Sequence, residues 1–278
     1  MTYSPLRSFF LRVFVVLILL MVLFPFVWCL IISLQRSAEV NSAYAILLPR
    51  SIQVKNYLTV LRNAQFFHGL LNSLVISLLS VGMNLLLCVP AGFALARVKT
   101  RFSALCLRAV LLFMFVPVAL LAVPLQKMLS GMGLSGTHWM VALPLCVMSL
   151  TVLIFYAFYA RFPSEMDDCA TLLGIPPALA FWKVYLPVSG RAIAYAAIAQ
   201  FITTWNCAFL PMFMYRGSWE LKTVQSALLQ YALMPRSIYL GMAAVIIACL
   251  PCWLLHVLRN RIGTYAFSHM TDPLNTDV

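Results

Sequence analysis

The sequence predicts an all-α protein that crosses a membrane six times. The 278 residues are 63% hydrophobic and only 9% charged, which is far more apolar than the roughly half that is typical of soluble domains. Six apolar stretches each approach the about 20 residues that a membrane helix needs. They are about Phe10–Ser33, Gly69–Ala96, Ala104–Leu125, Trp139–Ala160, Arg191–Phe213 and Ile238–Leu258. Because the sequence shows no repeat, low-complexity tract or soluble segment, residues 1–278 are predicted to form one membrane domain.

The first apolar stretch is predicted to be an uncleaved membrane span. It follows Arg7 and Arg12 and continues to about Ser33, so it exceeds the about 7–15 residues of a signal-peptide core. No small-residue cleavage site follows it. The outer loop after it, Leu34–His68, is long enough to hold a short re-entrant or interfacial helix.

Basic residues set the predicted orientation. Six spans place both termini on one side, and the turn after the second span, Arg97–Arg101, carries three basic residues, Arg97, Lys99 and Arg101. The positive-inside rule places this turn in the cytoplasm. Eleven basic residues then lie inside: Arg7, Arg12, Arg97, Lys99, Arg101, Arg108, Arg161, Lys183, Arg191, Arg259 and Arg261. Eight lie outside: Arg36, Arg50, Lys55, Arg62, Lys127, Arg216, Lys222 and Arg236. Both termini are therefore predicted to be cytoplasmic.

The net charge of +12 is explained by membrane topology and anionic lipid rather than by nucleic acid. The basic residues are scattered or lie beside apolar stretches, and they do not alternate with aromatic residues on one face. The eight cysteines show neither paired loop spacing nor a cysteine–histidine cluster with zinc spacing. We therefore expect no nucleic-acid partner, no metal site and no disulfide framework.

Polar side chains concentrate in the fifth predicted span. They are Gln200, Thr203, Thr204 and Asn206, with Trp205 among them. Such side chains are costly at membrane depth and face the bundle interior or an aqueous path. Amides and hydroxyls beside an indole suit a sugar, whose hydroxyls need donors and acceptors while its C–H faces stack on aromatic rings. Hydrogen bonding between helices is the alternative. For the second span we favour this alternative, or a role at the helix end, for Asn72, Ser73 and Asn84.

The segment between the fourth and fifth spans, residues 161–187, is predicted to form a cytoplasmic loop with two short helices. Ser164 and Asp167 have the spacing of a capping box, so the first helix is predicted to begin there. Gly174 is expected to end it in a left-handed conformation. The second helix is predicted to run from Ala178 to about Tyr185.

Several features of this loop suit a docking surface. Glu165, Asp167 and Asp168 occupy the positive end of the first helix. Pro176-Pro177 prevent continuation of that helix, and Pro187 ends the second. The spacing predicts one apolar face made of Met166, Cys169, Ala170, Leu172 and Leu173. This face either packs on the bundle of its own chain, which spacing alone favours, or docks in a groove of another protein.

The loop resembles the cytoplasmic EAA motif of the permease subunits of binding-protein-dependent ABC importers. That motif has an acid, two alanines, a glycine four residues on and an apolar-aromatic stretch that leads to Leu-Pro. Here the matching positions are Glu165, Asp168, Cys169, Ala170, Gly174, and Phe181 to Leu186-Pro187. The sequence departs from the motif with Asp168 for glutamate, Cys169 for the first alanine and Leu173 for an acid.

The resemblance covers most of the chain and points to the second permease of sugar importers of the maltose or glycerol-phosphate type. The similar segments are Leu71–Leu74, Ala91–Arg97, Pro117 and Pro124 with Gly133-Leu134, Phe201–Asn206 with Leu210-Pro211, and Gly241–Ala244 with Leu250-Pro251. It implies the fold of a type I importer permease in a bacterial-type inner membrane. It also implies a homologous second permease, a cytoplasmic ATPase dimer that docks on the loop, and an external solute-binding protein. The solute implied is a carbohydrate or sugar derivative, with glycerol 3-phosphate as the alternative that eight outward basic residues favour.

The sequence itself argues for a non-catalytic subunit without a cofactor. It has no Gly-x-x-x-x-Gly-Lys-Ser/Thr phosphate loop, so ATP and Mg²⁺ are expected to bind to the partner ATPase. A secondary transporter is the main alternative, but such proteins often carry an intramembrane acid, and all seven acids here lie outside the predicted spans. A membrane enzyme would need a nucleophile–base pair or a metal cluster, and the sequence suggests neither.

Overall fold

A computed structural model describes the backbone of residues 5–41, 48–215, 218, 220–234 and 237–271, and the side chains of those that lie between residues 9 and 258. Arg216 and Arg236, which we counted on the outer side, lie outside the described residues. The side chains of Arg7, Arg259 and Arg261 are outside them as well. All regular structure in the described part of the chain is helical, so the predicted all-α class is confirmed.

The helices follow one another with short connections. The first eight are α1 (Pro5–Ser33), α2 (Ser37–Val40), α3 (Lys55–Arg62), α4 (Ala64–Arg97), α5 (Arg101–Phe113), α6 (Ala122–Gly131), α7 (Trp139–Cys146) and α8 (Ser149–Tyr159). The next are α9 (Glu165–Leu172), α10 (Pro177–Ala180), α11 (Leu186–Val188), α12 (Gly190–Trp205), α13 (Phe209–Met214), α14 (Val224–Ala232) and α15 (Ile238–Thr271). A 3₁₀ turn, Val118–Leu121, precedes α6, and a π-helical turn, Phe181–Tyr185, joins α10 to α11.

Three described helices are individually long and apolar enough to cross a membrane. They are α1 over Phe9–Ser33, α4 over its whole length, and α15 over Ile238–Leu258. These correspond to the first, second and sixth predicted spans. Helix α4 begins five residues before the predicted Gly69, because the side chain of Asn63 caps it by accepting from the amide of Phe66 at 3.1 Å.

The third and fourth predicted spans are helix pairs rather than continuous helices. Helix α5 and the segment Val118–Gly131 are bent by 97°. Pro117 explains this break, because proline lacks an amide hydrogen and disfavours a helical residue before it. Helices α7 and α8 are bent by 41°. The prediction of two unbroken helices was therefore wrong at both places.

The fifth predicted span also differs from expectation. It consists of α12, with 16 residues, and α13, with a non-helical connection before Phe209. A third bent pair, Glu165–Leu172 with Pro177–Val188 at 118°, lies instead in the predicted cytoplasmic loop. The described residues thus offer three spans, or up to six if each bent pair counts as one.

The chain divides into two compact units. The first comprises Met1–Phe67 and Ala227–Leu250, and the second comprises His68–Ser226 and Pro251–Val278. That residues 1–278 act as one domain stays a prediction. In the first unit, the side-chain amide of Asn56 donates to the carbonyl oxygens of Ser33 at 2.8 Å and Gln35 at 3.0 Å. The α3 segment thereby satisfies carbonyl groups at and just beyond the end of α1.

The second unit contains two apolar cores. One consists of Ile76, Ala122, Leu129, Met140, Val141, Ala142, Leu210, Met214 and Tyr215. The other, which we call the loop-side core, consists of Val89, Phe93, Phe155, Tyr159, Ala180, Phe181, Tyr185, Ala192 and Ala196. Because it contains residues of α4, α8, α12 and the loop, the loop-side core holds the loop against three longer helices.

Candidate functional site

The first loop helix, α9, ends as the sequence predicts. Gly174 has a φ of +67°, a conformation that costs a residue with a side chain about 1–2 kcal/mol. The amide of Gly174 donates to the carbonyl of Thr171 at 2.9 Å, and that of Ile175 to the carbonyl of Ala170 at 2.8 Å. This is the Schellman pattern, which satisfies the last carbonyls of the helix. Glycine therefore sets the angle at which the chain turns into Pro176-Pro177.

The predicted capping box at Ser164 is wrong. Ser164 has helical dihedrals (φ −67°, ψ −25°), and its side chain makes no capping hydrogen bond. The carboxylate of Asp167 instead accepts from the hydroxyl of Tyr185 at 2.6 Å and lies 2.7 Å from the guanidinium of Arg97. A carboxylate gains more from a cation and a phenol than from one backbone amide, which explains why it turns away from the helix start.

The second half of the loop does not stop before Pro187. The chain passes from α10 through the π-helical turn and continues into α11. Pro187 lies in the first turn of α11, where a missing amide hydrogen is tolerated. The ring of Phe181 is buried in the loop-side core, whereas Pro187 is exposed.

The loop has two faces rather than the single apolar face that spacing predicts. Met166, Ala170 and Ile175 pack against the loop-side core. The opposite face exposes 87% of Leu172 and 76% of Leu173. The remaining exposed residues of the predicted docking set are Glu165, Asp168, Cys169 and Gly174, and Trp182 is exposed beside them. The loop is thus anchored on one side and presents leucine, tryptophan and acidic side chains on the other.

Aromatic packing fixes the inner face of the loop. The ring centroid of Phe93 on α4 lies 5.0 Å from those of both Phe181 and Tyr185. Below it, α4 and α8 approach so closely that a Cβ at Gly92 would lie 2.5 Å from the Cβ of Phe155. Only glycine permits this approach, because no other residue lacks a Cβ.

Arg97, at the end of α4, joins several segments around the loop. Its Nη1 atom donates to the carbonyl of Phe162 at 2.8 Å, and its Nη2 atom to that of Pro163 at 2.9 Å and to the Tyr185 hydroxyl at 3.0 Å. Only 9% of the Arg97 side chain is exposed, against 42% for its partner Asp167. Burial, followed by the hydrogen bond to Asp167, raises the pKa of Tyr185 to about 12, so the phenol stays protonated and donates. From the sequence we used Arg97 only to set the orientation; the Ala91–Arg97 segment was the signal that pointed to it.

Gln200 lies between helices instead of on an open path. Its side-chain amide nitrogen donates to the carbonyl of Leu145 at 2.7 Å, to Ser80 Oγ at 2.8 Å and to Thr204 Oγ1 at 3.2 Å. From α4, Asn84 likewise donates to the carbonyl of Cys146 at 2.7 Å. These carbonyls belong to the last residues of α7, where the bend toward α8 removes their helical partners. Neighbouring side chains must satisfy such groups inside a membrane, so this geometry favours the interhelical alternative for Gln200 and Thr204.

The rest of the predicted polar stripe is divided between burial and exposure. Trp205 is buried and stacks on Phe201 with ring centroids 5.5 Å apart. Thr203 and Asn206 are exposed, and each donates to a carbonyl of its own helix, at Ala199 and Ile202 respectively. A role of the stripe in a translocation path stays a prediction, and its exposed members are the ones that a solute can reach in this structure.

Comparison with known proteins identifies the family. Residues 88–265 match the family described as the binding-protein-dependent transport system inner membrane component. The match covers more than half of the chain, including the loop and the Arg97 contacts. The chain belongs to this family.

Several curated permeases resemble this one over most of their length. The sulfoquinovosyl glycerol transport system permease protein SmoH of Agrobacterium fabrum is 28% identical, over 73% of this chain and 71% of its own. The trehalose transport system permease protein SugB of Mycobacterium tuberculosis is 29% identical, over 68% and 69%. The arabinooligosaccharides transport system permease protein AraQ of Halalkalibacterium halodurans is 27% identical, over 77% and 78%.

Solved structures show the same fold. A chain of a bacterial ABC transporter involved in the import of the acidic polysaccharide alginate superposes on this permease with a TM-score of 0.79. The two are 20% identical, and the match covers 94% of this chain and 99% of that chain. A bacterial alginate ABC transporter in complex with an alginate pentasaccharide-bound periplasmic protein matches with a TM-score of 0.63 at 14% identity. The permease is thus a polytopic membrane protein with the fold of an ABC importer permease.

In the permease, Asn72 and Ser73 hold a predicted outer loop against α4. The Asn72 amide donates to the carbonyls of Glu220 at 2.6 Å and Lys222 at 3.0 Å, while Ser73 Oγ accepts from the amide of Val224 at 2.9 Å. The oxygen of Asn72 lies 3.0 Å from His138 Nε2. Burial lowers the pKa of His138, so the ring is neutral and its Nε2 carries the hydrogen. These contacts agree with the helix-end role that we expected for Asn72 and Ser73.

The described residues of the permease contain no group of three or more histidine, cysteine, aspartate or glutamate side chains that could hold a metal ion. The amide oxygens of Gln200 and Asn84 and the Ser77 hydroxyl are buried without a protein hydrogen-bond partner. These atoms suit ordered water rather than a metal, since no carboxylate is among them.

Proposed function

We propose that this chain is a permease subunit of an ATP-driven ABC importer and forms half of a translocation path for a carbohydrate or sugar derivative. A homologous second permease supplies the other half, and an external binding protein delivers the solute. The observation that carries the proposal is the two-faced loop, which is anchored by aromatic packing and exposes Leu172, Leu173 and Trp182. Family membership over residues 88–265 supports it.

The exposed face of the loop is the docking site for a cytoplasmic ATPase dimer. Exposed leucines on a short helix fit an apolar groove, and the neighbouring Glu165 and Asp168 supply charge at its edge. Gly174 holds this face at its angle through its left-handed conformation. ATP and Mg²⁺ bind to the ATPase, and this permease is non-catalytic. Closure of the ATPase pair pushes the loop and switches the path from inward-open to outward-open.

A carbohydrate is the solute that the relatives favour, because the systems named for SmoH, SugB and AraQ transport a sulfoquinovosyl glycerol, trehalose and arabinooligosaccharides. Glycerol 3-phosphate is the second candidate. The eight basic residues that the topology places outside favour an anionic solute. Uptake of radiolabelled trehalose and of glycerol 3-phosphate by cells that express the complete importer separates the two.

The membrane is the bacterial-type inner membrane, with both termini in the cytoplasm. The basic turn Arg97–Arg101 and the exposed docking face then lie on the same, cytoplasmic side as the ATPase. This placement is required by the proposed function, since ATP is available there.

Affinity purification of the tagged permease tests the proposal. We expect the native chain to retain an ATPase and a second permease in mild detergent, and Leu172→Asp to lose the ATPase, because a charge then replaces an exposed apolar contact. Met132→Asp is the matched control, since Met132 is 65% exposed on a loop that the topology places outside. If the native chain purifies alone, the importer proposal is wrong and a secondary transporter becomes the better hypothesis.

A further inference from the structure

Arg97 contacts four separate parts of the second unit. It lies at the last residue of α4, and it donates to the carbonyls of Phe162 and Pro163, which follow α8. It also pairs with Asp167 of α9 and with Tyr185 of the π-helical turn. A guanidinium can make these contacts together because it presents five donors in a rigid plane.

The contact between Arg97 and Asp167 is a direct link between α4 and α9. A cavity of about 270 Å³ lies beside this pair. Its walls include Phe93 and Arg97 of α4 and Asp167, Ala170 and Thr171 of α9. Empty space between the helices reduces dispersion contacts there, so the ion pair carries a large share of the interaction between them.

The face of the loop that contains Arg97 is opposite the proposed docking face. Arg97 is nine-tenths buried, whereas Leu172 and Leu173 are mostly exposed. A change at Arg97 therefore leaves the docking side chains in place. Docking and transmission of motion can accordingly be tested separately.

We propose that Arg97 is a positioning residue that ties the loop to α4 and to the end of α8, so that movement of the loop is transmitted to these two helices. The inference rests on the proposed function, because it assumes that an ATPase moves the loop. Asp167 and Tyr185 are its two partners on the loop side. Tyr185 completes the link by donating to Asp167 at 2.6 Å while it accepts from Arg97.

Hydrogen exchange of the purified complex tests the inference without knowledge of the solute. The complex of this permease with its ATPase and second permease is compared with and without ATP, Mg²⁺ and vanadate. In the native complex we expect nucleotide to change exchange both in residues 165–188 and in residues 91–97. In Arg97→Gln we expect the change in residues 165–188 to persist and the change in residues 91–97 to fall about tenfold, the factor that corresponds to loss of about one charge-assisted hydrogen bond.

Three further variants sharpen the test. Arg101→Gln is the matched control, since it removes the same charge from an exposed position four residues along the same turn, and we expect it to behave as the native chain. Arg97→Lys keeps the charge without the planar fork, and Tyr185→Phe removes one hydroxyl. Both should give responses in residues 91–97 between those of the native chain and Arg97→Gln.

The outcomes separate this inference from the proposed function. An unchanged response of residues 91–97 in Arg97→Gln would overturn the inference and leave the importer proposal intact. Loss of the ATPase from the Arg97→Gln complex would overturn it too, because Arg97 would then serve assembly rather than transmission. If no ATPase is present in the native complex, the proposed function itself fails.

Discussion

Gln200 shows how one polar side chain can serve the fold of a membrane protein. Only 1% of it is exposed, and its amide bonds to a carbonyl at the bend between α7 and α8. The sequence marks Gln200 as costly in a membrane, but it does not distinguish a solute contact from a contact between helices. The difference depends on Leu145, which lies 55 residues away in the chain.

We expect Gln200→Leu to lower the stability of the permease. The substitution keeps the volume but leaves the Leu145 carbonyl and Ser80 hydroxyl without their donor, at a cost of about 1–2 kcal/mol in a membrane. A thermal melt in detergent, followed by size-exclusion chromatography, measures this loss. Thr203→Val is the control on the same helix, since Thr203 is exposed and bonds only within α12. Equal melting of Gln200→Leu and the native chain would return Gln200 to the solute path.

At the scale of helices, breaks and close approaches decide the arrangement more than helix propensity does. The 97° bend after α5 follows from Pro117, which the sequence displays, yet we expected that span to be continuous. The 41° bend between α7 and α8 has no proline at its break, and side chains of α4 and α12 stabilise it. The start of α4 at Asn63 was, by contrast, readable from the sequence as a cap.

We expect Gly92→Ala to destabilise the contact of α4 with α8. The added Cβ would lie 2.5 Å from the Cβ of Phe155 and 2.9 Å from the backbone nitrogen of Tyr156, and overpacking of this kind costs about 1–3 kcal/mol. Gly82→Ala on the same helix is the control, because its added Cβ would have no neighbouring atom within 4 Å. It should leave stability unchanged or raise it by up to about 1 kcal/mol through helix propensity. Melting of purified variants measures both; an equally stable Gly92→Ala would contradict the close approach.

At the scale of the whole molecule, much apolar surface remains uncovered. Helix α1 buries none of its most apolar window within the chain, and the corresponding windows of α4 and α15 are 33% and 17% buried. Such surface is stable only against lipid or another membrane protein. This property agrees with a multi-pass protein that works in a complex.

The exposed Cys169 provides a test of orientation. We expect a membrane-impermeant maleimide to label Cys169 in inverted inner-membrane vesicles and not in intact cells, because the loop is proposed to face the cytoplasm. Cys169→Ser identifies the signal, since the exposed Cys249 lies within α15 and faces the apolar region. Bound ATPase should reduce the labelling. Labelling of Cys169 in intact cells would reverse the proposed topology.

The sequence by itself determined the all-α membrane class, the short loop helix that ends at Gly174, and the resemblance that family membership confirmed. These depend on composition, on local backbone preferences and on residues that are close in the chain. The tertiary structure decided which loop residues face inward, how the broken fourth span is satisfied, and which groups Arg97 contacts. Its carbonyl partner Phe162 is 65 residues away, and the energy of such a contact depends on burial and on distances that only the folded chain sets. Local patterns therefore predicted the helices, while long-range contacts between polar groups determined how the loop is attached to them.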